Sequence, residues 1–269
     1  MGDLVSIITP AYNCERFIAE MIESILAQTY PDWELLITDD CSTDRTVSII
    51  SDYCKRDGRI KLFVLEKNSG AGVARNNSIK QASGRYIAVC DSDDMWKPRK
   101  LEREIAFMRE NGYSFVSCNT EIIDQEGKTI GFRRGKKRSN RLQTIIIDRV
   151  ETLGAMYDAS VIGKCYMPKL RKRQDWALWI DVLSKTDYCH TLDEDLILYR
   201  LGNRNSLSAQ KFKLPKYHIA VYHDYLGMPK IGAFLLFYCV SLPCIAVRKL
   251  SDAIYSRRKM RRLKAAKML

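Results

Sequence analysis

Three carboxylates follow directly on an apolar run in the first half of the chain. Tyr86–Cys90 predicts a buried strand, and Asp91, Asp93 and Asp94 come immediately after it. Because like charges repel and are costly to remove from water, such a cluster at the end of a core strand favours a cationic partner. A divalent cation would be that partner, with a phosphate or diphosphate as its other ligand. A solvated acidic turn before the helix that follows Pro98 is the alternative interpretation.

Polar residues also follow two earlier apolar runs. Leu4–Thr9 and Trp33–Thr38 predict buried strands, and they are followed by Pro10–Asn13 and by Asp39 and Asp40, respectively. A helical pattern comes after each run, and this repeated strand–helix order predicts a parallel sheet with right-handed crossovers. Because ligands bind at the carboxyl ends of parallel strands, we expect all three polar clusters to share one site.

The second half of the chain gives shorter patterns. We expect the strand Ser114–Cys118, the hairpin turn Asp124–Gly127, the strands Ile145–Ile147 and Ala159–Cys165, the helix Trp176–Lys185 and the strand Ile197–Tyr199. No internal repeat or low-complexity block interrupts them.

The composition indicates a single large α/β domain, or one domain with appendages. The 269 residues are 46% hydrophobic, which is enough to bury a core. The nine cysteines are an odd number with no Cys-x-x-Cys pair, so we expect reduced thiols in the cytoplasm rather than a disulfide framework. No secretory signal is expected, because the early run Leu4–Thr9 is itself a predicted core strand.

The C-terminal region combines an apolar stretch with a basic tail. Ile231–Val247 is somewhat shorter than the ~20 residues of a spanning helix, and Pro243 lies within it. Residues 248–267 carry nine Lys and Arg against one Asp, within a formal net charge of +12. We therefore predict an interfacial or re-entrant membrane anchor and a place on the inner face of the cell membrane. A helix docked on the rest of the chain, or an oligomer contact, is the alternative.

Several short motifs occur in order along the chain. They are Val5–Asn13, Asp39–Asp44, Asn68 with Gly70, Ala74–Asn76, Gly84–Tyr86, Asp91–Asp94 with Trp96, and Arg173–Trp176. In this order and spacing the chain resembles the family 2 glycosyltransferases of the nucleotide-diphospho-sugar transferase (GT-A) fold. Among them it is similar to the bacterial enzymes of capsule, teichuronic acid and O-antigen synthesis. The resemblance implies an α/β fold with a mostly parallel central sheet flanked by helices.

The resemblance also implies how the chain divides. Residues 1–210 would form the GT-A domain, with a nucleotide-binding half at 1–118 and an acceptor half at 119–210. Residues 211–269 would hold the apolar helix and the basic tail, as a helical membrane-associating extension.

Roles at the predicted site follow from the same resemblance. A divalent ion, Mn²⁺ or Mg²⁺, would be held by Asp93 and by its neighbour Asp91. The nucleotide sugar would contact Thr9, Tyr12, Asp39, Asp40, Asn68, Gly70, Arg75, Asp91 and Asp94. The residue types agree, because Tyr12 offers a stacking face and Asp39 can accept from an imide N–H. Ordinary packing of Tyr12, helix capping by one of the two aspartates, and pairing of Arg75 with Asp91 stay open as alternatives.

Asp175 matches the position of the base that deprotonates the acceptor hydroxyl in an inverting transfer. Many relatives carry Glu before this Asp, whereas this chain has Gln174. Helix capping by Asp175 is the alternative, and Asp181 is the next candidate base. Further donor or acceptor contacts would come from Trp96, Gln174, Trp176 and Arg200, with Arg204, Asn205, Ser206 and Lys211 in a loop over the donor.

We therefore predict an inverting, metal-dependent glycosyltransferase that moves a sugar from a nucleotide-diphospho-sugar, preferably a UDP-sugar, to a saccharide or an undecaprenyl-type lipid-linked acceptor. A sugar nucleotidyltransferase is the alternative enzyme, but it would carry a Gly-rich basic loop where this chain has Pro10–Asn13. A basic nucleic-acid-binding protein is the non-enzymatic alternative. Nucleic acid is not expected as a partner, because the excess charge follows the apolar stretch. A homo-oligomer through the C-terminal helices stays open.

Overall fold

The computed structural model describes residues 3–170, 172–201 and 214–266, and it centres on a sheet of ten strands. The strands are β1 (Val5–Ala11), β2 (Trp33–Asp39), β3 (Ile60–Val64), β4 (Tyr86–Val89), β5 (Met95–Trp96), β6 (Phe115–Ile123), β7 (Thr129–Arg133), β8 (Arg138–Ser139), β9 (Met156–Asp158) and β10 (Cys189–Arg200). The α-helices are α1 (Ile18–Leu26), α2 (Thr46–Arg56), α3 (Ala71–Gln81), α4 (Lys100–Asn111), α5 (Arg141–Ile146), α6 (Ala159–Ile162), α7 (Gln174–Val182), α8 (Leu214–Ala220), α9 (Lys230–Leu235) and α10 (Leu242–Ala266). Arg204, Asn205, Ser206 and Lys211 lie outside the described residues.

The sheet runs in the order β3-β2-β1-β4-β9-β6-β10-β5, with β7 beside β6 and β8 beside β10. Strands β1 to β4 are parallel to one another, as the strand–helix repeat predicts. Strand β9 joins β4 and β6 in the antiparallel direction, whereas β6 and β10 are parallel. The sheet is therefore mixed as a whole and parallel in the half that carries the three polar clusters.

Strand β1 is buried at each of its residues, because layers cover both faces of the sheet. Val5 and Ile7 pack in one apolar cluster with Ile18 and Ile22 of α1. Ile8, which points to the opposite face, belongs to a second cluster. A strand covered on both faces is apolar throughout rather than alternating, which is the pattern that the sequence shows.

Two segments predicted as strands are helical instead. Residues 145–147 fall at the end of α5, whose N-cap Asn140 accepts a hydrogen bond from the Gln143 N–H. Residues 159–165 begin with α6, which is capped by the Asp158 side chain. A capping side chain satisfies an N–H that the first helical turn leaves free, and this local effect outweighs the β-branched composition of both segments.

Lys230–Ala266 forms one continuous helix of 37 residues and includes a π-helical turn at Leu236–Ser241. Its inner face packs on the rest of the chain, with Phe237 buried beside Trp176, and the Phe132 N–H donates to the hydroxyl of Ser256 at 2.9 Å. By length and hydropathy this helix could cross a membrane. Its outer face is apolar and exposed, and consists of Ile231, Phe234, Leu235, Tyr238, Leu242, Val247, Leu250 and Ile254.

Candidate active site

The loops after β1 and β2 are joined where the two strands end. The Asp40 N–H donates to the Ala11 carbonyl at 2.8 Å, and the Thr43 N–H donates to the Asn13 side chain at 2.8 Å. Asn13 has a φ of 46°, a left-handed conformation that Asn adopts more readily than most residues. Beside this joint Tyr12 is 50% exposed. Its ring is therefore available for stacking at the edge where the site is predicted.

Asp39 and Asp40 shape these loops rather than line an open pocket. The buried Asp39 carboxylate accepts from the N–H of Ser42 at 2.8 Å and from its hydroxyl at 2.5 Å. The buried Asp40 carboxylate accepts from the N–H groups of Ser69 at 2.6 Å and Gly70 at 2.7 Å, at the start of α3. In this structure Asp40 organises the start of α3 and Asp39 holds Ser42, and the contacts of both carboxylates with a nucleotide stay predictions.

Three further predicted contacts surround the same edge. Thr9 is fully buried, and its hydroxyl has no hydrogen-bond partner among the described residues. Asn68 is exposed and its amide donates to the Asp40 carbonyl at 3.2 Å. Gly70 has a φ of 91°, which residues with a side chain rarely adopt. Asn68 and Gly70 reach the surface, whereas Thr9 lies beneath it, and their contacts with a nucleotide stay predictions.

Arg75 of α3 connects the acidic turn after β4 with the start of α7. Its guanidinium donates to the Asp91 carboxylate, and its side chain is 11% exposed. Burial acts to lower the pKa of Arg75, but Asp91, Asp175 and Asp93 outweigh it, so that the pKa lies above its ordinary value. One cation is therefore held in the field of three carboxylates that come from two distant parts of the sequence.

The same two regions touch at Gly72. A Cβ atom on Gly72 would come within 2.7 Å of the Gln174 side chain, whose amide donates to the Leu170 carbonyl. Because Gly72 has no side chain, the first turn of α7 can approach the first turn of α3, with Asp175 at the next residue. Arg173, not Asp175, is the N-cap of α7. The capping alternative for Asp175 is therefore wrong, and a substrate contact by Gln174 stays a prediction.

The Asp175 carboxylate accepts one hydrogen bond from the loop before β9. The Thr152 hydroxyl donates to Asp175 at 3.3 Å and accepts from the Trp179 indole N–H at 3.0 Å. A second carboxylate, Asp148, lies beside Asp175: burial, and then the charge of Asp175, raise the pKa of Asp148 to about 7. The sequence interpretation missed Asp148, because it follows an apolar stretch with no partner at a recognisable spacing.

The acidic turn offers two accessible carboxylates to a divalent ion. Asp91 and Asp93 are partly exposed, whereas Asp94 is buried. Burial, and then Asp93 and Asp91, raise the pKa of Asp94 well above its ordinary value, which indicates a crowded negative cluster. Within the described ranges, no three His, Cys, Asp or Glu side chains form a complete metal cage. Mg²⁺ and similar ions need only one or two carboxylates when substrate phosphates and water complete the shell, so Asp93 and Asp91 fit a partial site.

Three residues predicted to contact substrate belong to the core. Asp94 accepts from the Arg200 N–H at 2.8 Å, and the Arg200 guanidinium donates to Glu20 at 2.5 Å. Trp96 is 2% exposed and lies under the Lys100 ammonium, 3.8 Å from its ring centroid. In this structure Asp94, Trp96 and Arg200 therefore lie in the core where β5 pairs with β10, and their contacts with a substrate stay predictions.

Trp176 is also enclosed. It is fully buried, and its indole N–H donates to the Thr144 carbonyl at 2.5 Å. Its ring packs against His218 at 4.9 Å and edge-on against Tyr222 at 5.6 Å between centroids. Trp176 therefore anchors α7 to the C-terminal helices, and its contact with a sugar stays a prediction without support from this structure.

Comparison with known proteins agrees with this arrangement. The sequence model of the family described as Glycosyl transferase family 2 matches residues 6–163. The chain is 41% identical over 225 residues to TuaG of Bacillus subtilis (strain 168), named as a teichuronic acid biosynthesis glycosyltransferase, with 82% of this chain and 88% of that protein covered. The chain belongs to glycosyl transferase family 2. This glycosyltransferase is also 36% identical over 249 residues to WfgD of Escherichia coli, named UDP-Glc:alpha-D-GlcNAc-diphosphoundecaprenol beta-1,3-glucosyltransferase. The match covers 91% of this chain and 94% of WfgD.

Solved structures give the same fold. Staphylococcus aureus TarS 1-349 in complex with UDP-GlcNAc has a TM-score of 0.68 at 22% identity and covers 87% of this glycosyltransferase, which spans 70% of that chain. The mannosyltransferase PcManGT from Pyrobaculum calidifontis in complex with GDP-Man and Mn²⁺ has a TM-score of 0.66 at 17% identity. The match covers 93% of this chain and 75% of PcManGT. The glycosyltransferase spans 42% of a longer TarS chain. The predicted α/β GT-A fold is confirmed.

Proposed function

We propose that this glycosyltransferase transfers a sugar, with inversion, from a UDP-sugar to a hydroxyl of a lipid-linked or oligosaccharide acceptor in bacterial surface polysaccharide synthesis. The relatives support this substrate class, because TuaG is named for teichuronic acid and WfgD for a UDP-linked donor and a diphosphoundecaprenol acceptor. The UDP-GlcNAc held by TarS supports the same class of donor.

One observation carries the proposal: Arg75 joins the acidic turn to the predicted base. Its guanidinium donates a hydrogen bond to Asp91 and interacts electrostatically with the carboxylates of Asp93 and Asp175. An inverting displacement needs the leaving diphosphate and the base on opposite sides of the anomeric carbon. In the proposed arrangement the acidic turn and Arg75 would form the metal and cation side, and Asp175 of α7 would form the carboxylate side.

The residues of the chain would share the reaction as follows. Asp175 accepts the proton of the acceptor hydroxyl as its oxygen bonds to the anomeric carbon and the bond to the diphosphate breaks. Arg75 stabilises the negative charge that leaves with the diphosphate. The Tyr12 ring stacks on the nucleobase of the donor, and Asn68 and Gly70 lie beside the nucleotide. Mn²⁺ or Mg²⁺ on Asp93 and Asp91 would supply Lewis-acid neutralisation of the diphosphate.

We further propose that the enzyme is cytoplasmic and works on the inner face of the cell membrane. The outer face of the C-terminal helix supplies exposed apolar side chains, and five exposed basic residues follow on the same helix. They are Arg257, Arg258, Arg261, Arg262 and Lys264. An apolar face followed by basic residues suits binding along an anionic lipid surface. This placement would bring a catalytic domain of residues 1–210 to a lipid-linked acceptor through an extension of residues 211–269.

The proposal is tested by following nucleotide release with UDP-glucose and UDP-GlcNAc as donors and a synthetic GlcNAc-diphospho-lipid as acceptor. We expect release of UDP that requires the acceptor and Mn²⁺ or Mg²⁺, and that stops when a chelator is added. The product should carry the opposite anomeric configuration to the donor. Release of pyrophosphate in place of UDP would contradict the proposal and support a nucleotidyltransferase.

A further inference from the structure

The C-terminal helix reaches the loop that lies behind the predicted base. From α10, the Arg248 guanidinium donates to the Asp148 carbonyl and, at 2.8 Å, to the Glu151 carboxylate. Glu151 is buried and also accepts from Arg133 of β7 at 3.0 Å. Residues 148–151 are therefore held by charge-assisted hydrogen bonds from two elements, and such bonds are stronger than neutral ones.

The next residue of that loop contacts the base directly. Thr152 donates to Asp175 and is itself fixed by Trp179, as described above. A chain of contacts thus runs from Arg248 through Glu151 to Thr152 and Asp175. This path connects α10 with α7 through two adjacent loop residues, Glu151 and Thr152.

The Asp148 side chain completes this arrangement. One of its carboxylate oxygens is buried without a hydrogen-bond partner among the described residues, and the other lies 3.9 Å from the Arg173 guanidinium. The charged groups that act on it are Asp175 and Arg173 at the start of α7, Arg248 of α10, and Glu151 of its own loop. A carboxylate that lies among two like charges and two cations is sensitive to each of them.

We propose that Asp148 and Arg248 are positioning residues for Asp175, so that the C-terminal helix forms part of the acceptor side of the active site. The inference rests on the proposed function in one respect, namely that Asp175 is the base. It extends that function beyond the part of the chain that the family model matches, since Arg248 lies on the helix with the proposed membrane face.

The chemistry gives Asp148 a defined effect without any bond to substrate. The acceptor oxygen passes its proton to Asp175, bonds to the anomeric carbon, and the diphosphate departs with the electron pair of the broken bond. An ionised Asp148 places a second negative charge beside the arriving proton and stabilises it. Arg248 keeps Asp148 at the distance where this effect acts.

A titration tests the arrangement independently of turnover. In the full chain labelled with ¹³C at the aspartate carboxyl carbons, the Asp148 resonance is identified by its loss in Asp148→Asn. Its midpoint should fall by roughly one pH unit in Asp175→Asn and rise by a similar amount in Arg248→Gln, because a like charge raises and a cation lowers the pKa of a carboxyl group. Lys249→Gln, which removes an exposed cation one residue away on α10, should leave the midpoint unchanged.

Kinetics in detergent with the donors and acceptor named above give the second measurement. Arg248→Gln should lower kcat by about tenfold with an unchanged donor KM, and Arg248→Lys should restore part of it. In the wild type kcat should rise through about pH 7, and Asp148→Asn should flatten this rise.

An Asp148 midpoint that moves in neither Asp175→Asn nor Arg248→Gln would overturn the inference, as would equal kcat in Arg248→Gln and Lys249→Gln. A wild-type enzyme that transfers no sugar would instead overturn the proposed function, and the titration would still decide the inference.

Discussion

At the scale of residues, the site is defined by the charges around Arg75. Arg75 contacts Asp91 and lies in the field of Asp93 and Asp175. Asp94 is buried and accepts from the Arg200 N–H, whereas Asp91 and Asp93 are partly exposed. We propose that a divalent ion binds at this turn with Asp93 as its direct ligand.

Replacement of Asp93 by Ala should reduce metal-dependent transfer by a factor of about 100 or more, because the ion loses its direct protein ligand. The melting temperature should change little, since the side chain lies in a partly exposed turn. UDP release at saturating Mn²⁺ measures the effect. Asp52→Ala, which removes an exposed carboxylate paired with Lys55, is the control and should keep full activity. Unchanged transfer in Asp93→Ala would remove Asp93 from the metal site.

At the scale of elements, the close packing of β4 on β1 aligns the acidic turn with the loop after β1. Gly84 lies where the chain enters β4, and a Cβ atom there would be 2.6 Å from the Leu4 carbonyl and 2.7 Å from the Ser6 N–H. Both contacts are with backbone atoms of a central strand, which cannot move aside cheaply. The carboxyl ends of the two strands therefore meet only if this position has no side chain.

We expect Gly84→Ala to lower the free energy of unfolding by about 2–4 kcal/mol, because the added methyl group strains the junction of β1 and β4. Urea denaturation followed by circular dichroism measures this loss. Gly58→Ala adds the same methyl group where no atom lies within 4 Å and is the matched control. An equal effect of the two substitutions would show that the junction is not tightly packed.

The elements also show where prediction from sequence succeeds. Strands β1, β2 and β4 follow from apolar runs buried on both faces, and their polar ends meet at one edge of the sheet, as predicted. Strand β9 is three residues long, too short for a periodicity, and α5 and α6 depend on caps. Asp94 and Asp148 could not be assigned, because burial and pairing with Arg200 or Asp175 arise only from tertiary contacts.

At the scale of the whole molecule, one surface is both apolar and basic. The C-terminal helix packs on the rest of the chain with its inner face through Phe237 and Ser256 and leaves its outer face exposed. A helix fixed along a domain in this way lies in the plane of a membrane more readily than across it. The same docking places Arg248 beside the loop of Asp148.

We expect the protein to sediment with anionic vesicles and to bind them less as salt is raised, because basic side chains attract the lipid headgroups. Replacing Val247 and Leu250 together by Glu should leave the protein in the supernatant, since these side chains are 69% and 63% exposed on the outer face. Val64→Glu, at a 56% exposed position on β3, is the control. Retention on DNA with no binding to vesicles would favour the nucleic-acid alternative.

The most direct measurement is the transfer rate of Asp175→Asn, with nucleotide binding measured in parallel. Amide nitrogen cannot accept the proton of the acceptor hydroxyl, so transfer should fall by about 10²–10⁴-fold while UDP binds with unchanged affinity. This result would place the base at the start of α7, across Arg75 from the acidic turn. Transfer at the wild-type rate in Asp175→Asn would contradict that placement and require another base.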